Sequence, residues 1–263
     1  MGEELAVIEG EGDVIADALR AAALGGNGNE PRAEMFVDIT ADGLETPAST
    51  VDAAQRSYCT LSPDLFDRFS VFEPTAALFP VAEVLDWLAW LTDSDPITLR
   101  FVGDPGAEMA SQLRLVGGRS KVTVDCETDP TLLDGIEFSL PDRFDGRIFL
   151  DEDGDPVPTR IETTAAELSR VVTAARRCGL DRYPLTVTDG EVSFGLTDEG
   201  TEVEGQLDAT VDGPGFARQY GPGFGRVVRA IDGSVTLSTG PDQPLAVVTT
   251  APGATFRHVV TTV

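Results

Sequence analysis

The stretch EMFVDITADGLETPASTVDAAQRSYCTL, Glu34 to Leu61, reads as three extended segments: Glu34 to Thr40, Leu44 to Val51 and Arg56 to Leu61. Asp42-Gly43 lies between the first two, the dipeptide favoured where a tight hairpin needs positive backbone φ. Before this stretch stands a short alternating segment, Glu4 to Glu9, read as a strand. It is followed by Asp13 to Gly25, where Val14, Ala18, Leu19 and Ala22 fall at helical spacing ahead of a Gly-Gly stop. The opening unit is therefore βαβββ.

The pattern returns downstream. Val81 to Thr92 predicts a helix with Val84, Leu85, Leu88 and Leu91 on one face, and strands are expected at Ile97 to Val102, Met109 to Val116 and Lys121 to Cys126. From Asp129 to Pro158 the periodicity gives way to proline, glycine and the acidic run Asp151-Glu152-Asp153-Gly154-Asp155-Pro156, the composition of an extended connector. Beyond it come a strand at Arg160 to Thr163 and a helix from Ala165 to Cys178 with Leu168, Val171, Val172 and Ala175 as its apolar stripe. Leu185 to Thr188 and Glu191 to Leu196 flank a second Asp-Gly turn, Asp189-Gly190. Glu202 to Ala209, a short helix near Phe224 to Ile231, and strands at Ser234 to Ser238, Leu245 to Thr250 and Phe256 to Thr261 complete the chain. The fold class expected is α+β: two similar halves, each of two βαβββ units whose helices pack on a common sheet. The halves are residues 1–128 and 159–263, joined by a connector at 129–158.

Composition narrows the function. The chain has 263 residues, enough for two domains of roughly 130 each. The longest apolar stretches, such as Leu85 to Leu91, are too short to span a bilayer, and the acidic start Met1-Gly2-Glu3-Glu4 lacks the features of a leader, so a cytoplasmic protein is expected. Forty-five acids against 19 bases give a net charge of -26, and every base but Lys121 is arginine. That skew suits a halophilic cell with molar internal salt, where the Debye length falls to about 3 Å and an acidic shell repels a polyanion only weakly. Cys59, Cys126 and Cys178 stand alone in apolar contexts and read as buried free thiols. His258 is the sole histidine, which removes the raw material for a histidine-centred triad or zinc site. No enzyme, metal or cofactor is expected.

At Ala41-Asp42-Gly43-Leu44 the chain resembles the proliferating cell nuclear antigen family, the DNA sliding clamps of archaea and eukaryotes. ETPASTVDAAQRSYCTLSPDLFDRF, Glu45 to Phe69, is similar to the family's strand, turn and strand, with Phe66 and Phe69 in its aromatic places. VAEVLDWLAWLTDSDPITLRF looks like its second helix and following strand, and FARQYGPGFGRVVRAIDGSVTLSTGPDQPLAVVTT like its last helix and the strands after it. The resemblance covers nearly the whole chain. It implies that subunits close into a ring, commonly a trimer, with helices lining the hole and sheets outside.

A clamp needs cations on its hole wall, because backbone phosphates are the one feature shared by every sequence it slides over. The resemblance implies double-stranded DNA contact through Arg20 on the first helix, Arg170, Arg176 and Arg177 on the third, and Arg226 and Arg229 on the fourth, with Arg182 nearby. It also implies a groove for short clamp-binding peptides of replication and repair proteins, with Leu44, Ile136, Phe138, Leu140 and Pro252 as candidates. Each arginine has a plainer reading as a member of a solvated ion pair, and each apolar candidate as ordinary packing. Two departures point elsewhere: the chain ends FRHVVTTV where the family has an A-P-K/R-I tail, and the helix at Val81 to Thr92 carries Glu83 and Asp86 with no base. The two readings are thus a DNA sliding clamp or clamp-like processivity factor, and a divergent paralogue that does not encircle DNA and acts as a regulatory or interaction subunit. Either associates through unpaired sheet edges, expected at Leu113 to Val122 and Glu202 to Ala209, as a homo-oligomer or with another clamp subunit.

Two other motifs are weighed and set aside. Asp151, Asp153, Asp155 and Glu162 stand at calcium-loop offsets, but Pro156 occupies the place of the required glycine, so a solvated linker is expected. Gly213-Pro214-Gly215-Phe216 and Gly221-Pro222-Gly223-Phe224 lack a phosphate loop's lysine and read as turns and helix starts.

Overall fold

A computed structural model describes residues 2–23, 34–49, 55–91, 96–129, 140–198 and 200–262. They fall into two compact units, the first drawn from Met1–Ser49, Ser57–Glu137 and Ala251–Phe256, the second from Thr50–Arg56, Phe138–Thr250 and Arg257–Val263.

The first unit opens with β1 (Glu3–Gly10) and α1 (Gly12–Ala22), followed by β2 (Glu34–Thr40), β3 (Gly43–Ser49) and β4 (Gln55–Leu61). β5 (Arg68–Val71) and β6 (Thr75–Pro80) come next, then α2 (Val81–Leu91), β7 (Ile97–Gly103), β8 (Gln112–Gly117) and β9 (Ser120–Asp125). One sheet runs β5-β1-β7-β8-β9 and another stretch runs β4-β3-β2-β6. The hairpin that opened the sequence reading is in place, with Thr40 opposite Gly43 and Asp38 opposite Glu45. Gly43 is obligatory for a reason beyond the turn itself: its φ is +142° and a Cβ there would stand 2.3 Å from the Leu61 carbonyl oxygen. The strands and helices close over a core that includes Leu5, Ile8, Ile39, Phe79 and Phe101, with Val81, Val84, Leu85, Leu88 and Leu91 as the buried stripe of α2.

The second unit holds two short strands, β10 (Phe144–Asp145) and β11 (Ile148–Phe149), then β12 (Thr159–Thr164), α3 (Ala165–Arg177), β13 (Tyr183–Thr188) and β14 (Glu191–Asp198). β15 (Thr201–Leu207), β16 (Thr210–Asp212), β17 (Phe216–Tyr220), α4 (Pro222–Ala230), β18 (Ser234–Thr239) and β19 (Leu245–Ala251) follow, and β20 (Ala254–Val260) is divided between the units. Its sheets run β16-β12-β18-β19 and β15-β14-β13-β17. At the second Asp-Gly turn, Asp189 and Gly190 have φ of +53° and +81°, both positive as a tight hairpin turn demands. The core here includes Leu168, Val171, Leu185, Tyr220, Phe224, Val227 and Leu237.

The α+β pattern of repeated βαβββ units is therefore the observed one, and the four helices fall where periodicity placed them. The differences are strands that local pattern missed. β6 abuts α2 with no turn residue between Pro80 and Val81, so its identity as a strand comes from pairing with β2, Glu34 opposite Pro80 and Met35 opposite Phe79. β5 likewise exists because Phe69 and Val71 pair across to β1, and β17 because it pairs with β13. The strand expected from Met109 begins instead at Gln112, Met109 making only an isolated bridge to Ala76. The first expected sheet edge also needs correction. Residues Leu113 to Gly117 lie in β8, paired on one side with β7 and on the other with β9, so among the described strands this sheet ends on β9 and, at its other end, on β5. In the second unit β15 ends its sheet, as expected, with β17 at the other end of the described strands.

Candidate nucleic-acid interface

α3 forms because Ala165, Leu168, Val171, Val172 and Ala175 make one buried stripe, and because the Thr164 hydroxyl accepts the Glu167 N–H as an N-cap. Arg170, Arg176 and Arg177 are outside that stripe and exposed. Arg170 is held: Nη1 donates to Glu167 Oε2 at 2.6 Å and to the Gln206 carbonyl of β15 at 3.2 Å. Glu167 also accepts the Asp208 N–H, and this backbone bond, ahead of the Arg170 charge, holds its carboxyl below the usual range. α4 begins with Gly221 as N-cap and Pro222 in its first turn, which is where a missing N–H costs nothing. It presents Arg226, half-buried with Nη1 enclosed, and Arg229, exposed in the last turn. Among the described residues no carboxylate lies within ion-pairing distance of Arg176, Arg177, Arg226 or Arg229. Arg20 on α1 does pair, with Asp17 at 2.7 Å, but both side chains are more than half exposed and such a pair contributes no more than about 1 kcal/mol.

The charge asymmetry is plain by helix. α3 and α4 carry five arginines and one acid, Glu167, whereas α1 and α2 carry Asp13, Asp17, Glu83 and Asp86 against Arg20 alone.

The apolar candidates are scattered in character. Leu44 in β3 and Leu140, in a 3-10 turn at Leu140–Arg143, are both 3% exposed and pack inward. Pro252 is exposed in the turn before β20, where the next carbonyl, that of Gly253, accepts the Ser62 N–H at 2.7 Å. Ile136 and Phe138 lie outside the described residues. Sequence reasoning passed over three large exposed apolar side chains: Phe72, Trp87 and Trp90. For the tryptophans a signal was there, since both stand off the Val84, Leu85, Leu88, Leu91 stripe of α2.

The motifs set aside behave as structural elements. Asp151 Oδ1 accepts the backbone N–H groups of Asp153 and Asp155, each at 3.0 Å, a turn-forming role. Among the described residues no group of three or more His, Cys, Asp or Glu is placed to hold a metal ion. A Cβ on Gly213 would stand 2.0 Å from the Pro158 carbonyl oxygen, so that glycine serves close packing. The three thiols are buried, and burial, with the Asp125 charge second, pushes Cys126 up to about 12. No helix among the described residues is long and apolar enough to cross a membrane.

Two half-similar α+β units with paired helices, each bearing a free sheet edge, define the sliding-clamp fold. The structures it is similar to are proliferating cell nuclear antigens. One is that of A. fulgidus, bound to the C-terminal region of FEN-1, at a TM-score of 0.76 and 14% identity over 98% of each chain. Another is that of Entamoeba histolytica, at 0.75 and 11% over 99% of this chain and 100% of the other. A third is the PCNA2–PCNA3 complex of Sulfolobus tokodaii, at 0.71 and 13% over 97% of this chain and 98% of the other. No family model matches the chain, and no curated protein matches it.

Proposed function

We propose that this chain is a subunit of a DNA sliding clamp or clamp-like processivity factor, which closes with further copies or another clamp subunit into a ring around duplex DNA. There it tethers replication or repair enzymes and is not itself an enzyme. The observation that carries the reading is the cationic pair α3 and α4 on an otherwise acidic chain carrying the clamp fold. A net charge of -26 does not oppose it if the cell is halophilic, because in molar salt screening confines repulsion to contact distance and a topological link needs no tight ion pairs. Arg176, Arg177, Arg226 and Arg229 then serve as sliding contacts, with Arg20 and Arg170 partly engaged by their carboxylate partners. The A. fulgidus protein was captured with a peptide from FEN-1 and the S. tokodaii one as two different subunits together. By analogy, a surface for clamp-binding peptides is proposed around Pro252, the candidate that is exposed among the described residues, Leu44 and Leu140 being buried. A regulatory paralogue is the second reading, favoured by the absence of any base on α2.

The test is retention on closed circular DNA. In molar potassium chloride, protein loaded on the circle should stay through salt that strips ordinary phosphate binders and leave when the circle is cut. Arg176→Glu with Arg229→Glu should lower loading by about tenfold, the scale expected when two phosphate contacts become repulsive. Release that follows salt alone, with no dependence on free ends, overturns encirclement.

A further inference from the structure

A second concentration of positive charge lies on a sheet of the first unit, away from the helices. In β5-β1-β7-β8-β9, Ile97, Leu99, Phe101, Leu113 and Leu115 belong to the core, so the residues that alternate with them stand on the opposite face. Register sets Arg100 of β7 directly opposite Arg114 of β8. The next row along that face runs Arg68, Glu9, Thr98, Val116, Lys121. With strands about 4.8 Å apart and alternate residues about 7 Å apart, the four bases make a band about 19 Å long that crosses the strands. Glu4 and Asp125 share the row on the other side of Arg100 and Arg114, and among the described residues only Glu9 is an acid within the band.

Two guanidinium groups set directly opposite repel, and a bound anion relieves the repulsion. Glu4 supplies one for Arg100. Arg114 instead donates Nη2 to the neutral Gln112 Oε1 at 3.0 Å, and Arg68 donates Nε to the Ser70 hydroxyl at 3.3 Å. Among the described residues no carboxylate lies within ion-pairing distance of Arg68, Arg114 or Lys121. The Nε atoms of Arg100 and Arg114 are enclosed, so the stems lie along the sheet and the charged ends are held before a ligand arrives. On a chain with 45 acids and 19 bases, bases left without an acid point to an anion from outside.

We propose that this face docks an extended acidic peptide of a partner protein. In an extended peptide alternate side chains recur about every 7 Å on one side, so three carboxylates span the band and meet Arg68, the Arg100–Arg114 pair and Lys121. Single-stranded nucleic acid is the other polyanion of that width, but the face carries no aromatic side chain among its described residues on which bases could stack. In molar salt the Debye length is about 3 Å, so contact bonds rather than long-range attraction select the ligand. This docking needs no ring and leaves the helix arginines to DNA.

Lys121 is the only lysine, which makes it a reporter in the unmodified chain. A fluorescein-labelled, N-terminally acetylated peptide of alternating aspartate and serine is activated with carbodiimide and added in molar potassium chloride. Its docked carboxylates should acylate Lys121 in preference to the N-terminal amine, as read by mass spectrometry. In anisotropy titrations of the unactivated peptide, Arg114→Gln should weaken binding about tenfold, the scale of one charge-assisted bond, and Arg68→Gln with Arg114→Gln about a hundredfold. Arg176→Glu with Arg229→Glu should bind the peptide undiminished, which separates this surface from DNA loading. A deoxythymidine oligonucleotide that binds more tightly than the peptide, and is lost in the same sheet variants, overturns the choice of ligand. Labelling of the N-terminus alone, or equal peptide binding by the parent and the double sheet variant, overturns the site.

Discussion

Truncating Phe224 to alanine should destabilise the second unit by about 4 kcal/mol, the middle of the range for emptying a buried aromatic site. The ring is fully buried, stacked on Tyr220 at 5.8 Å and tilted against Tyr183 at 5.5 Å, so its removal leaves a cavity walled by two large rings that cannot collapse onto one another. The packing beside it is equally tight, since a Cβ on Gly225 would meet the Tyr183 hydroxyl at 2.4 Å. The apparent melting temperature should drop by roughly 10 °C. Because Phe224 seats α4 on its sheet, Arg226 and Arg229 should lose their fixed placement with it, and Phe224→Leu should recover most of both. A shift below about 2 °C in calorimetry would show that the aromatic stack does not hold α4.

A second large effect concerns pH. His258 in β20 is 2% exposed, and burial lowers its pKa from 6.5 to about 4. The folded state therefore refuses a proton that the unfolded state accepts once the pH drops below 6.5. The stability this group contributes is complete above that value and is lost progressively as the pH falls toward 4. Over that window the loss should reach about 3 kcal/mol, from roughly 1.4 kcal/mol per pH unit. Acid titration of many carboxylates overlaps the lower end, so the quantity to read is the difference in pH slope between the native chain and His258→Gln, measured by urea unfolding. As the sole histidine, His258 can also be followed by its own ring resonances, which should not titrate between pH 8 and 5. Equal slopes, or a ring titrating near 6.5, would show that the imidazole is hydrated in the fold.

Much of this architecture was legible in the sequence because its determinants are local. The stripe Leu168, Val171, Val172, Ala175 names a helix and its buried face from spacing alone. Asp189-Gly190 names a hairpin because few other dipeptides accept positive φ at both positions. Gly43 was read correctly as a turn residue, but the heavier constraint on it, the Leu61 carbonyl 2.3 Å from where a Cβ would sit, comes from a strand far along the chain.

The candidate site was less legible for the same reason. That Arg170 reaches Gln206, 36 residues away in sequence, depends on β15 lying beside α3. β6 could not be told from the start of α2 until β2 paired with it, and β8 could not be told from an edge until β9 covered it. By itself, then, the sequence determined the four helices and their buried faces, most of the strands, the two Asp-Gly turns, and the concentration of arginine on the third and fourth helices, with Arg20 alone on the first. Only the tertiary structure decided which strands end the sheets as free edges and which helix flanks stand beside them. Strand pairing is a choice among distant partners of similar pattern, settled by packing the whole core rather than by any residue's neighbours in sequence.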